Sequence, residues 1–169
     1  MGCIKEPLRY KRPAHAGRFL WYTSRMKRII LYTDGGARGN PGPAGAGAVI
    51  TDESGKVLKE ISKFLGRQTN NWAEYEAVIL GLEALKKIFS AEKRKELDIE
   101  IKMDSELVAR QLSGVYQIKE ETLFPQFIKV HNLQVKDFPH VTFAHVRREQ
   151  NKEADRLAND AMDGHSDIV

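Results

Sequence analysis

Asp34, Glu74, Asp104 and Asp155 are the residues of this chain whose types and spacing could do chemistry. Asp34 closes a run of β-branched and aromatic residues just before Gly35-Gly36, and Asp104 closes a second such run. If the two runs are neighbouring strands, both acids stand at one end of a sheet, where open α/β sheets place their ligands. Glu74 heads a helical stripe, with Ala77, Val78, Gly81 and Leu85 on the same face. Asp155 repeats the pattern, with Ala158 and Met162 three and seven places beyond it. Gathering these carboxylates uncompensated would cost on the order of several kcal/mol each and push their pKa values up, so they either lie apart or share a cation. Oxygen-only ligands, with no Cys and little His, select hard Mg²⁺ or Mn²⁺, ions that keep water and bind substrate phosphates.

The elements that must position these acids follow from periodicity and turn chemistry. Strands are predicted at Arg28 to Asp34, Ala44 to Thr51 and Lys56 to Leu65, the last two joined by Asp52-Glu53-Ser54-Gly55. Connections this short make an antiparallel meander. A helix is expected from Trp72 to Phe89, a strand from Asp98 to Met103, and helices from Ser105 to Leu112 and Glu121 to Val135. A strand from His140 to Val146 and a helix from Lys152 to Met162 complete the order. It implies an α/β fold, a mixed sheet with helices packed on its faces.

Each acid also has a plainer reading. Asp34 before Gly-Gly suits a turn, and Asp104-Ser105 suits a helix N-cap. Glu74 and Asp155 near helix starts suit the macrodipole. Those readings leave unexplained why both helix acids sit on the stripe that packs inward.

A chain of 169 residues and 19.2 kDa is one domain's worth. With 41% hydrophobic and 30% charged residues it is neither collagen-like nor wholly disordered. No apolar run approaches the roughly 18 residues that a membrane-spanning helix requires, so no membrane partner is expected. The single cysteine, Cys3, excludes an internal disulfide and any CxxC zinc site, which fits a reducing, cytoplasmic setting. The net charge of +4 is unevenly spread, because residues 1–28 hold eight Lys/Arg against Glu6 alone. The remainder carries 19 bases and 22 acids, a net of −3, so a polyanion partner must be held by local geometry or metal ions. Residues 1–27 therefore read as a basic, extended arm, 28–163 as the folded domain and 164–169 as a tail. A start at Met26, which directly precedes the first strand, is an equal reading.

At these same residues the chain resembles the type 1 ribonuclease H family over about residues 28 to 162. Tyr32-Thr33-Asp34-Gly35-Gly36-Ala37-Arg38-Gly39-Asn40-Pro41-Gly42 is similar to its first motif, and Thr69-Asn70-Asn71-Trp72-Ala73-Glu74 to its second. Asp104-Ser105 is similar to its third, and Asn151 to Ala158 to its fourth. The resemblance implies a ribonuclease H-like fold: a five-stranded mixed sheet, three antiparallel strands then two parallel, with helices on both faces. It implies an enzyme cutting the RNA strand of an RNA–DNA hybrid, leaving 5′-phosphate and 3′-hydroxyl ends, with Asp34, Glu74, Asp104 and Asp155 holding two Mg²⁺ ions. Two ions roughly 4 Å apart activate a water on one side of a phosphodiester and stabilise the leaving oxygen on the other. By the same resemblance Gly35, Gly36, Ala37, Arg38, Asn40, Thr69, Asn70 and Asn71 contact the hybrid, with Thr69 and Asn40 near a DNA phosphate. A Gly-rich run allows close backbone approach, and Asn offers donors and acceptors to a 2′-hydroxyl. The run lacks the Lys-Ser/Thr ending of a nucleotide P-loop.

The chain departs from the family in several places. A loop His used by well-studied members has one counterpart here, His145, which is expected inside a strand as a packing residue; Arg147, Arg148 or Glu149 is left to take its place. Glu106 stands where the family often has Gln. No basic, tryptophan-rich handle lies between Leu112 and His140; Tyr116 with Lys119 could form part of a DNA-strand channel, and the basic arm could supply the missing charge. A monomer is expected. The alternative from another class is a module of the same fold that binds hybrid or double-stranded RNA without cutting. A further alternative is a nuclease for double-stranded RNA or a domain of a reverse transcriptase-like protein.

Overall fold

The computed structural model describes residues 26–164 of the chain. The expected arm and tail therefore lie almost wholly outside the described residues. Strands β1 (Lys27–Ala37), β2 (Gly42–Asp52) and β3 (Val57–Gln68) form the antiparallel meander that the short connections require. Helices α1 (Asn70–Ile88) and α2 (Ala91–Arg94) lead to β4 (Leu97–Met103), and α3 (Glu106–Leu112) and α4 (Phe124–Lys136) lead to β5 (Val141–His145). The last element is α5 (Lys152–Asp163). The sheet has five strands in the order β3-β2-β1-β4-β5, with β4 parallel to both β1 and β5.

Alternation decides which face of each strand is buried. In β4, Leu97, Ile99, Ile101 and Met103 point into the core, while Asp98, Glu100 and Lys102 face the other way and are only half-buried. Ile29 and Leu31 of β1 join them, and α1 closes over this layer with Tyr75, Val78, Ile79, Leu82 and Leu85. Val108 and Leu112 of α3 and Val130 and Leu133 of α4 complete the same core. Gly81 belongs to the stripe because the Leu31 side chain occupies the space its Cβ would take.

Among the described residues the opposite face is covered by α5, and glycine makes that possible. A Cβ on Gly47 would lie 2.1 Å from the Ala154 carbonyl oxygen, and one on Gly45 would lie 2.3 Å from that of Ala158. The α5 backbone therefore rests directly on β2, anchored by Ala154, Leu157, Ala158 and Met162 and by the Ser62 hydroxyl, which donates to the Leu157 carbonyl at 2.7 Å.

Several elements depart from expectation: β3 runs on to Gln68, and the helix expected from Glu121 begins at Phe124 after a single tight turn. The first strand does not stop at Asp34: it continues through Gly35 and Gly36 to Ala37, paired with Ala44 to Gly47. Asp34 is thus a strand residue, not a turn former. The glycine pair serves close packing, since a Cβ on Gly35 would fall 2.2 Å from the Ala73 carbonyl carbon of α1. The four-residue helix α2, capped by Ser90, has no buried residue and so had no apolar stripe to announce it.

Candidate active site

The parallel pairing of β1 with β4 ends at Thr33 opposite Met103, so the next residues of both strands, Asp34 and Asp104, emerge side by side. Glu74 arrives from the second turn of α1, brought over β1 by the close approach at Gly35. Asp34, Glu74 and Asp104 each offer a carboxylate oxygen, and these oxygens lie within 4.8 Å of one another. The plainer readings of two of the acids do not hold. Ser105, and not Asp104, caps α3, accepting from the Val108 N–H at 3.4 Å. Thr69 caps α1, accepting from the Trp72 N–H at 3.3 Å, and the first turn of that helix holds no acid, so Glu74 lies past the position where the macrodipole would favour it.

The electrostatics are those of a site short of positive charge. Asp34, only 8% exposed, is pushed up to about 7 by burial first, then by the charge of Asp104, a hydrogen bond shared with it, and the charge of Asp155. Glu74 is raised well above the carboxylate range by burial and by Asp34 and Asp104, with partial relief from the Gly35 backbone N–H. Its Oε2 is buried without a hydrogen-bond partner. An orphaned buried carboxylate oxygen facing two further carboxylates fits a hard divalent cation, because the donor set is oxygen alone and a cation would satisfy it.

Asp155 is placed beside this trio and not within it. Its Oδ1 accepts from Arg148 Nη2 at 2.7 Å and its Oδ2 from Asn159 Nδ2 at 3.2 Å. Arg148 lies on the turn before α5, and its charge lowers the pKa of Asp34. It is the only one of the three loop candidates, Arg147, Arg148 and Glu149, that ion-pairs with a site acid among the described residues. His145 ends β5 exposed to solvent, so the packing role expected for it does not hold; β5 is at the sheet edge and leaves its last side chain uncovered.

The residues expected to touch substrate form a stitched rim next to the acids. Gly39 takes a left-handed φ of +92°, which lets the β1–β2 connection turn. The Ala37 N–H donates to Asn70 Oδ1 at 2.7 Å, and the Asn70 N–H donates to Asn40 Oδ1 at 3.0 Å. Asn71 Nδ2 reaches Glu120 at 3.5 Å, and Arg38 pairs with Asp163 of α5. Gly36 sits beneath this rim against the Met162 side chain. A groove of about 510 Å³ runs from Asn71 past Gln111, Tyr116 and Lys119. Glu106 is turned to Arg110, which lies over the Tyr116 ring. Sequence reasoning gave Asn151 no role, although its amide lies between β1 and Asp104. Only its place four residues before Asp155 could have drawn attention to it.

The chain matches the family model described as "Reverse transcriptase-like" over residues 32–161. It is 41% identical over 137 residues to a bifunctional protein of Mycobacterium tuberculosis, covering 80% of this chain and 36% of that protein. It is 39% identical over 139 residues to a ribonuclease HI of Halobacterium salinarum, covering 82% of this chain and 66% of the relative. The chain thus spans about a third of the mycobacterial relative. Among solved structures, a ribonuclease H1 isolated from compost, in complex with an RNA/DNA hybrid, superposes with a TM-score of 0.77 at 50% identity, covering 80% of this chain and 97% of that one. Among the described residues no helix is long and apolar enough to cross a membrane.

Proposed function

The chain belongs to the ribonuclease HI family, and on that footing we propose that it hydrolyses the RNA strand of RNA–DNA hybrids, leaving 5′-phosphate and 3′-hydroxyl ends. The observation that carries the proposal is the meeting of Asp34, Glu74 and Asp104 with one buried carboxylate oxygen left unpartnered. These three, with Asp155 completing the set, would hold two Mg²⁺ ions, and Mn²⁺ has the same ligand preference. When bound, such ions supply Lewis-acid activation of water and stabilise charge developing on the leaving oxygen.

The chain's own groups do the positioning. Asp34 and Asp104 stand where the paired strands β1 and β4 part, and Glu74 rides on a helix locked against β1, so the carboxylates are fixed relative to one another before substrate arrives. Arg148 pairs with Asp155 and offsets part of the negative charge that would repel a phosphodiester. At the rim, Asn40 and Asn70 spend their side-chain oxygens on backbone N–H groups, which leaves their amide hydrogens to donate. A row of donors beside a carboxylate cluster suits a substrate that offers phosphate oxygens and 2′-hydroxyls. The Asn71, Tyr116 and Lys119 groove is the proposed path of the DNA strand, an aromatic ring and a cation serving a sugar and a phosphate.

All these groups come from one chain between residues 34 and 155, so we assign the activity to a monomer and to residues 28–163; the single cysteine fits a reducing, cytoplasmic setting. The test is a hybrid labelled on each strand, compared with its DNA–DNA and RNA–RNA counterparts in Mg²⁺ or EDTA. Magnesium-dependent cleavage of the RNA strand of the hybrid is expected. Retention of hybrid without cleavage would replace the enzyme by a binding module, and cleavage of double-stranded RNA alone would change the substrate.

A further inference from the structure

We propose that Asn151 is the positioning residue that holds the carboxylates in register for their metal ions. The inference deepens the nuclease reading above and rests on it. Asn151 directly precedes α5, where an Asn side chain ordinarily accepts from the first turn of the helix. It makes no such cap here. The side chain turns inward, is 1% exposed, and aims both amide hydrogens at the acids' supports. Asn151 Nδ2 donates to the Thr33 carbonyl at 2.9 Å and to Asp104 Oδ1 at 3.3 Å.

Both acceptors stand where the pairing of β1 with β4 runs out. The β1–β4 ladder ends at Thr33 and Met103, so the Thr33 carbonyl, one peptide before Asp34, takes a side-chain amide just where strand pairing stops. Asp104, one residue past β4, is oriented by the second hydrogen of the same amide. The Asn151 carbonyl accepts from the Asp155 N–H at 3.1 Å, starting α5 and fixing the fourth acid. A single residue thereby touches Asp104 directly, Asp34 through its neighbouring peptide, and Asp155 through the backbone. The orientation of the amide is determined by chemistry, since the reverse would set Oδ1 against two oxygen acceptors. The cost is an Asn151 Oδ1 buried without a partner. A buried polar atom left in that state indicates that the two donated bonds fix the side chain. Partners that orient metal-holding carboxylates usually govern metal affinity by about 10- to 100-fold.

The experiment titrates Mn²⁺ into the full chain, followed by electron paramagnetic resonance, for the wild type, Asn151→Ala and Asn151→Asp. Asn151→Asp keeps the size and replaces both donors with acceptors. Urea midpoints establish that each variant is folded, and kcat and KM are measured on a labelled hybrid. The expected result is a Mn²⁺ midpoint raised about tenfold or more in both variants. KM for hybrid should stay within about twofold and kcat should recover at high metal, a split that simple loosening of the fold would not produce. Folded variants whose Mn²⁺ midpoints match the wild type overturn the proposal. Should both variants fail to fold, Asn151→Ser, which retains one donor, decides by the same midpoint. A wild type that binds Mn²⁺ with these shifts but cuts no hybrid would sustain the role of Asn151 and refute the nuclease reading. A wild type that cuts while the variants keep its metal midpoint would do the reverse.

Discussion

Replacing Asp34 with Asn should make the metal-free protein more stable, by an amount that grows with pH. The Asp34 carboxyl titrates at about 7 in the fold, against an ordinary value of 3.8, because it is buried beside Asp104 and Asp155. A raised pKa means that the folded state holds the proton more tightly than the unfolded chain. Its contribution is neutral below about pH 3.8 and becomes a growing penalty up to pH 7, beyond which it is constant. At 1.36 kcal/mol per pH interval, the interval from 3.8 to about 7 amounts to roughly 4 kcal/mol. Asp34→Asn removes that penalty and also relieves Glu74, whose pKa Asp34 helps to raise. In EDTA at pH 8 the variant should therefore gain on the order of 4 kcal/mol, or roughly 10 °C in Tm for a domain of this size. At pH 5 the gain should fall to roughly 2 kcal/mol, and at pH 3 to about zero. Urea melts at these three pH values are the assay. Adding millimolar Mg²⁺ at pH 8 should narrow the gap, since a ligand of the native state stabilises the wild type more than a variant missing a ligand. A variant equal to or less stable than wild type at pH 8, or a gain independent of pH, would refute the electrostatic account of the site.

Other perturbations test other parts of the structure. Gly47→Ala forces a Cβ to within 2.1 Å of the Ala154 carbonyl, a backbone atom that cannot step aside, and should cost about 3 kcal/mol or more, read from a urea melt. Arg148→Ala breaks an exposed pair with Asp155 and should change stability by under about 1 kcal/mol, while kcat on hybrid falls more than KM rises; unchanged kcat would remove Arg148 from the site's working parts. Deleting residues 1–25 removes six of the Lys/Arg of the basic leader, and should lower hybrid affinity and flatten its dependence on salt. Unchanged affinity and slope would leave the leader without a role in binding.

How much of this was legible beforehand depended on whether the determinant was local. The β4 alternation of Leu97, Ile99, Ile101 and Met103, and the α1 stripe below Glu74, carry their own periodicity, and the elements fall where that periodicity puts them. The side-by-side placing of Asp34 and Asp104 on neighbouring strands follows from the same patterns. The continuation of β1 through Gly35-Gly36 does not, because glycine signals a turn unless the helix crossing above it is known. The exposure of His145 is illegible for a related reason, since strand alternation gives a side without saying whether any helix covers it. The inward turn of Asn151 and the pairing of Arg148 with Asp155 depend on residues brought together by the whole fold, and Asn before a helix reads locally as a cap.

The most direct test of the central claim is anomalous diffraction from crystals of the chain grown with Mn²⁺ and an RNA–DNA hybrid. Manganese peaks within coordination distance of Asp34, Glu74 and Asp104, beside the RNA backbone, are the predicted result. Hybrid seated elsewhere, or density at this carboxylate trio containing no manganese, would contradict it.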